Sequence, residues 1–128
     1  MASAITRRLV GPADDVDACA AFYDAVLRPF AGARIMDLGE VIGHGVPPMP
    51  DSWLGPQQTG TGFRECHRAF SASNRATVDQ FFAAAQALGA EVLLDPLQWP
   101  EYHPDYCCGA FVCDSDGNDV EAVCHQPE

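Results

Sequence analysis

The residues best suited to chemistry lie near the C-terminal end, where the stretch GNDVEAVCH (117–125) places Glu121, Cys124 and His125 close together. A carboxylate, a thiol and an imidazole are all metal ligands, and each can also take part in proton transfer. If the stretch is a strand, alternation puts Glu121 and His125 on one face and Cys124 on the other. The candidate cluster therefore reduces to Glu121. This carboxylate stands among valines, so it needs a partner if it is buried.

The bulk properties exclude several classes of protein. The 128 residues suffice for one domain with a real core. A net charge of −11 argues against nucleic acid as a partner. No apolar run is long enough to span a membrane, and the N-terminal residues lack the apolar segment of a signal peptide. We therefore expect a cytoplasmic protein whose six cysteines are reduced and for the most part buried as small apolar side chains.

The charge is unevenly distributed along the chain. All seven arginines lie at or before Arg75, there is no lysine, and residues 76–128 hold ten carboxylates with no arginine. Such a distribution is typical of a plain solvated surface. It also suits attraction for cationic ligands or for the arginine-bearing first half of a partner subunit.

The chain repeats one pattern of elements. Segments 17–38 and 76–96 each predict an amphipathic helix, a break at Gly-Ala and a short strand. Strand-like runs precede each helix and two more follow, so each half reads β-α-β-β-β. The prediction is one α+β domain over 1–128. Module one covers about 4–55, the linker about 56–63 and module two about 64–125.

The sequence resembles the vicinal oxygen chelate superfamily of glyoxalases, bleomycin resistance proteins and extradiol dioxygenases. The resemblance rests on AAFYDAVL (20–27), ECHRAF (65–70) and DSDGNDVEAVCH (114–125), which follow in order along the chain. It implies two tandem βαβββ modules whose curled mixed sheet surrounds a cleft, and it implies a homodimer. It also implies His, Glu or Gln metal ligands on the first and last strands of each module. His67 and Glu121 match those positions in module two.

Module one departs from this pattern. His67 lies 14 residues before Phe81, and the residue 14 before Phe22 is Arg8, so the repeat places an arginine where relatives carry a ligand. The last strand of module one, SWLG (52–55), holds no ligand. His44, Glu40 and Asp51 stand close by in the sequence and could approach the cleft.

Two expectations for the cleft follow from this mapping. In the first, His67 and Glu121 bind a divalent metal such as zinc, nickel, manganese or iron. In the second no metal binds: Arg8 supplies the positive charge, either paired with Glu121 or clamping a substrate carboxylate. His67 and Glu121 are the candidate catalytic residues in both. The candidate substrate-binding residues are Arg8, Trp53, Tyr102 and His103.

Three functions remain open at this point. The first is a glyoxalase-like lyase or isomerase acting on a small oxygenated substrate with a metal. The second is a ligand-sequestering protein of the bleomycin-resistance type, without chemistry. The third is a metal-free enzyme in which Arg8 orients an anionic substrate while His67 or Glu121 moves a proton. All three predict a small-molecule ligand.

Overall fold

The chain folds as two successive units, each made of a strand, a helix and three further strands, in a computed structural model that describes residues 3–7, 14–50, 52–56, 67–98 and 108–125. Module one comprises β1 (Ser3–Arg7), α1 (Asp14–Val26), β2 (Ala33–Asp37), β3 (Ile42–Gly45) and β4 (Ser52–Pro56). Module two comprises β5 (His67–Ser71), α2 (Arg75–Ala87), β6 (Val92–Leu97), β7 (Cys108–Cys113) and β8 (Asp119–Cys124).

Each helix buries the apolar stripe that its spacing predicts. In α1 the stripe includes Cys19, Ala20 and Tyr23, and in α2 it includes Val78, Phe81 and Ala85, all at most 1% exposed. The same spacing predicts that Leu88, three residues after Ala85, continues the second stripe, but it is 50% exposed. It lies beyond the last helical residue, where the chain is already turning away from the core.

The ends of the helices follow from local chemistry. Ser73 and Asn74 are both residue types that cap helices, and Asn74 is the cap in the structure. Its Oδ1 accepts a hydrogen bond at 2.8 Å from the backbone N–H of Thr77, which has no partner within the first turn of the helix. Helix α1 ends at Val26, and Pro29 lies in the short 3-10 turn that follows. Gly89, with φ of +75°, turns the chain away after α2 in a conformation that glycine adopts without strain.

Each module forms a four-stranded mixed sheet, with the orders β1-β4-β3-β2 and β5-β8-β7-β6. The first and last strands of each module pair in parallel, and the other neighbours are antiparallel. We call the side that packs on the helices the helix face and the opposite side the cleft face. Ile42 and Leu54 lie on the helix face of module one, and Val120 and Ala122 lie on that of module two.

One apolar cluster connects the two modules. It contains residues from both helices and from strands of both sheets. Phe30, which follows α1, contacts module two directly, because its ring centroid lies 6.1 Å from those of Phe70 and Phe81. Cys19, Cys108 and Cys124 are buried in the same cluster, as the sequence predicted.

The hairpin between β7 and β8 closes through Asp114. Its Oδ1 accepts hydrogen bonds from the backbone N–H groups of Asp116 and Asn118, both at 2.9 Å. Its Oδ2 accepts the hydroxyl of Tyr23 at 2.7 Å. The residue types Asp116-Gly117-Asn118 predict a hairpin turn before the last strand, and the turn is present, with Gly117 at a φ of +87°. Because Tyr23 belongs to α1, this turn also joins module two to module one.

The predicted α+β class with two tandem βαβββ modules is therefore confirmed. In the described residues the strands form two four-stranded mixed sheets, one in each module. None of the described helices is both long and apolar enough to cross a membrane.

Candidate functional site

His67 and Glu121 lie on neighbouring parallel strands of module two. The register pairs Ala69 with Glu121, which makes His67 a diagonal neighbour of Glu121. Phe70 and Ala122 point into the core on the helix face, so alternation turns His67 and Glu121 toward the cleft face. The two residues come together because β8, although last in sequence, pairs with β5.

The two side chains are in hydrogen-bond contact but differ in exposure. His67 Nε2 lies 3.2 Å from Glu121 Oε1. The glutamate side chain is 2% exposed, whereas the imidazole is 53% exposed. Because a carboxylate can only accept, His67 Nε2 carries the proton in this bond. In the neutral ring Nδ1 then has the free lone pair. A buried acceptor thus orients an imidazole that solvent can reach.

Strand β7 supplies two further parts of the site. Phe111 lies opposite Glu121 in the register, and its ring centroid is 6.0 Å from that of His67. Gly109 lies on the same face, and a Cβ built there would be 3.4 Å from Glu121 Oε2. Glycine at this position therefore leaves the carboxylate room, and the phenyl ring limits how the imidazole can tilt.

Phe111 and Gly109 were not among the predicted site residues. In the structure Asp114 and Asn118 close the hairpin, and counting outward from them along both strands pairs 111 with 121 and 109 with 123. The residue types at 116–118 indicate a turn but do not fix this register, so they could not place either residue next to Glu121.

The pair fits a metal only in part. Two ligands held about 2.1 Å from one ion lie about 3.0 to 3.4 Å apart in octahedral or tetrahedral geometry, so the 3.2 Å separation suits a shared ion as well as a hydrogen bond. Zinc, however, needs about four ligands, or three with a water. In the part of the chain that the structure describes, no three His, Cys, Asp or Glu residues are grouped so as to hold a metal. We therefore derive no step through a metal.

Trp53 is the cleft-face residue of β4. Its neighbour Leu54 belongs to the core on the helix face, so Trp53 points the other way. The indole lies over Gly43, where a Cβ would come within 3.0 Å of both the indole Cζ3 and Pro50 Cβ. Gly43 thus lets the ring lie flat on β3, and an aromatic surface stands where the resemblance implied a ligand.

The other predicted positions are distributed as follows. Arg8, Asp51, Tyr102 and His103 fall outside the described residues. Glu40 is exposed in the turn between β2 and β3.

His44 does not approach the cleft and corrects that expectation. It lies on the helix face, is 2% exposed, and its Nε2 is 2.9 Å from Oδ1 of Asp24 on α1. Arg34 binds the same carboxylate, with Nη2 2.6 Å from Oδ2 and Nε 3.2 Å from Oδ1. The physical reason is the register: His44 pairs with Arg34 and Ser52 on the face that α1 covers.

This network shifts the pKa values of its members. Burial lowers the pKa of His44 and outweighs the opposite effect of the neighbouring Asp24 carboxylate. Burial alone would raise the pKa of Asp24, but the bonds from Arg34 and His44 outweigh it and leave the pKa below its usual value. His44 is therefore a neutral, buried donor within the fold.

The similarity of this chain to known proteins is found in its structure and not in its sequence. No protein-family model matches the sequence, and no curated protein is similar to it. Among solved structures, a glyoxalase/bleomycin resistance protein from Albidiferax ferrireducens T118 is similar, with a TM-score of 0.73 and 17% identity over 98% of each chain.

Two further solved structures have more specific names. A lactoylglutathione lyase from Agrobacterium tumefaciens has a TM-score of 0.64 and 21% identity, covering 97% of this chain and 92% of its own. A fosfomycin resistance protein from Mesorhizobium loti has a TM-score of 0.61 and 14% identity, covering 97% and 88%. At these identities the likeness concerns the fold. The chain therefore has the fold of the glyoxalase, bleomycin resistance and dioxygenase proteins, the group that its sequence motifs resemble.

Proposed function

We propose that this protein is a glyoxalase-like lyase or isomerase that transfers a proton on a small oxygenated substrate at His67 and Glu121. The observation that carries the proposal is the 3.2 Å contact between a buried carboxylate and a half-exposed imidazole. A carboxylate without solvent is costly to keep in a core, so its retention beside a titratable ring favours a role in chemistry.

The pair suits general acid–base catalysis. Glu121 orients the imidazole through Nε2 and stabilises the positive charge that forms when Nδ1 takes a proton, the role that a carboxylate plays beside histidine in hydrolases. His67 then removes a proton from the carbon next to a carbonyl group, and the electron pair moves toward the carbonyl oxygen. On a 2-hydroxy carbonyl compound this gives an enediolate. Return of the proton from Nδ1 to the former carbonyl carbon, with transfer of the hydroxyl proton to the former carbonyl oxygen, completes an isomerisation.

Arg8, Trp53, Tyr102 and His103 are proposed to bind the substrate. Trp53 offers an aromatic surface on the cleft face of module one, which suits the apolar part of a ligand. Arg8 is proposed to hold an anionic group or the developing negative charge, because a guanidinium stays protonated and offers paired donors. A divalent metal held by His67 and Glu121 is the alternative source of that positive charge.

Proton exchange in D2O tests this proposal without knowledge of the product. Small 2-oxo and 2-hydroxy compounds are incubated with the protein, and loss of their C–H signals is followed by proton NMR. We expect exchange with the wild type and with His125→Gln, a control that alters an exposed imidazole just beyond β8. In His67→Gln the rate should fall by about 10² or more, the usual contribution of a positioned base.

Elemental analysis and titration with Zn, Ni, Mn and Fe separate the metal and metal-free forms of the proposal. Binding of one equivalent that His67→Gln and Glu121→Gln both abolish would support the metal form. Exchange that continues in protein stripped by chelators would support the metal-free form.

Sequestration without chemistry is the second candidate function. It is supported by the described part of module one, whose cleft face presents Trp53 and Met36. The bleomycin resistance names among the similar structures are compatible with this function. A compound that raises the unfolding temperature, binds at Trp53 and shows no proton exchange would favour this function over the first.

A homodimer is part of the proposal. Met36 and Leu97 lie on cleft faces and are 44% and 56% exposed, which suits burial against a second copy. Sedimentation velocity over a range of concentrations tests this. We expect a species of twice the chain mass, which substitution of both residues by glutamate should convert to the monomer.

A further inference from the structure

A cavity of about 550 Å³ lies away from His67 and Glu121. It is bounded by the outer side of α1, by the turn after α2 and by the start of the β7–β8 hairpin. None of its lining residues belongs to the site described above. Its volume falls in the range of small-molecule pockets, and its position between the two modules is a common one for them.

The shape of the cavity comes from small residues. Ala18 and Ala21 on α1, Gly89 and Ala90 after α2, and Gly117 in the hairpin line it, so no long side chain fills the space. Leu88, which is 50% exposed, also lines the cavity. The walls are held in place because the Tyr23 hydroxyl donates to Asp114 across the module boundary.

Among the described residues that line the cavity, the charged groups are the carboxylates of Glu91 and Asp114, and none is Lys, Arg or His. The oxygens of Asp114 already accept four hydrogen bonds, from Tyr23, Asp116 and twice from Asn118. Glu91 is exposed at the cavity. It is therefore the carboxylate that a ligand can reach.

Cys113 also lines the cavity beside Glu91. Burial, together with the Glu91 carboxylate, raises the pKa of its thiol to about 11. The thiol therefore stays protonated at neutral pH, so it adds a neutral, polarisable surface rather than a nucleophile.

We infer that this cavity binds a small organic cation with an apolar body, an aryl- or alkylammonium ion. The ammonium group pairs with Glu91, and the apolar part lies against Ala18, Ala21 and Leu88. The Glu91 carboxylate stands in a largely apolar lining that carries no cationic side chain among its described residues, which complements this chemistry and disfavours carboxylates and phosphates. The site is separate from the proposed proton-transfer site and does not depend on it.

Titration with 2-phenylethylammonium and with 2-phenylethanol tests the inference. Changes in the chemical shifts of the backbone amides of residues 88–91 and 113–117 show whether a ligand binds in this cavity. We expect the ammonium ion to bind at least about fivefold more tightly than the alcohol at low salt, and salt to reduce the difference. In Glu91→Gln the two affinities should become similar.

Two variants serve as controls. Asp79→Asn removes one carboxylate from the exposed side of α2, outside the cavity, and should leave the preference for the cation unchanged. Ala21→Leu places a larger side chain into the cavity from an exposed helix position and should weaken both ligands. Equal binding of the two ligands by the wild type would overturn the inference. If Glu91→Gln and Asp79→Asn lost the preference for the ammonium ion equally, the inference would also be overturned, because the preference would then depend only on net charge.

Discussion

At the scale of single residues, substitution of Glu121 distinguishes a role in catalysis or binding from a role in the stability of the fold. Replacing a buried charge by an apolar side chain of similar size is often neutral or stabilising, provided no buried partner is left behind. His67 is half-exposed, so water can replace the lost bond. We therefore expect Glu121→Leu to change the free energy of unfolding by less than about 2 kcal/mol. Proton exchange and ligand binding should be lost.

Urea unfolding of the wild type, Glu121→Leu and Glu121→Gln measures this directly. The glutamine variant is the matched control, because it keeps the shape and a polar end without the charge. A loss of more than about 2 kcal/mol in Glu121→Leu would mean that the carboxylate holds the fold together.

His44 predicts a pH dependence that belongs to the fold and not to the cleft. Burial holds the pKa of His44 below its usual 6.5, so the unfolded chain takes up a proton at a pH where the folded chain does not. Stability should therefore fall as the pH drops below about 6.5, and it should be fully present above that value. Asp24, whose pKa is lowered, acts in a separate pH range. Its contribution to stability is fully present above its usual pKa of 3.8 and is lost as the pH falls below that value.

His44→Gln tests this, because glutamine keeps a donor for Asp24 and does not titrate. Free energies of unfolding are compared at about pH 7.5 and about pH 5.5, where the histidine changes charge and most carboxylates do not. We expect the wild type to lose more stability than the variant over this interval. Equal losses would show that another group dominates.

The sequence predicted the site only as far as local signals reach. Glu121 was found because a lone carboxylate among valines is unusual, and His67 because a motif resembles that of a family. The contacts of Asp24 with Arg34 and His44, 10 and 20 residues away, were missed. They depend on which face of β3 meets α1, and the sequence near His44 does not fix that register.

At the scale of elements, the bond from Tyr23 to Asp114 joins a helix of one module to a hairpin of the other. Tyr23→Phe keeps the ring in the core and removes the hydroxyl that donates at 2.7 Å. A hydrogen bond to a charged group contributes about 1.5 to 3 kcal/mol. We expect the free energy of unfolding to fall by an amount in this range.

Ser115→Ala is the control, since it alters an exposed position in the same turn and should cost little. Amide hydrogen exchange gives the second readout: protection at 114–118 should fall in Tyr23→Phe. If stability fell but protection there were unchanged, the loss would come from packing around the ring and not from the hairpin.

Element types were predictable because each rests on short-range chemistry. Helical spacing located both helices, and Asp116, Gly117 and Asn118 marked the last hairpin. The resemblance implied ligands on the first and last strands of each module, but that β1 pairs with β4 and β5 with β8 is known from the structure. The exposure of Leu88 was missed because the stripe gives a phase but does not say where the helix ends.

At the scale of the whole molecule, the two modules are expected to fold as one cooperative unit. The apolar cluster is continuous across both, and each module alone would expose the side chains that it buries against the other. Phe30 lies at this junction, with its ring against Phe70 and Phe81 of module two. Its removal should therefore weaken both modules together.

Phe30→Ala in a Trp99→Phe background tests this, because Trp53 then reports on module one alone while circular dichroism reports on both. We expect the free energy of unfolding to fall by about 2 to 3 kcal/mol, less than for a fully buried ring because Phe30 is only half-buried. Fluorescence and circular dichroism should still give one coincident transition. Two separate transitions would show that the modules are independent units, and the cavity between them would then lack the rigid walls that its ligand requires.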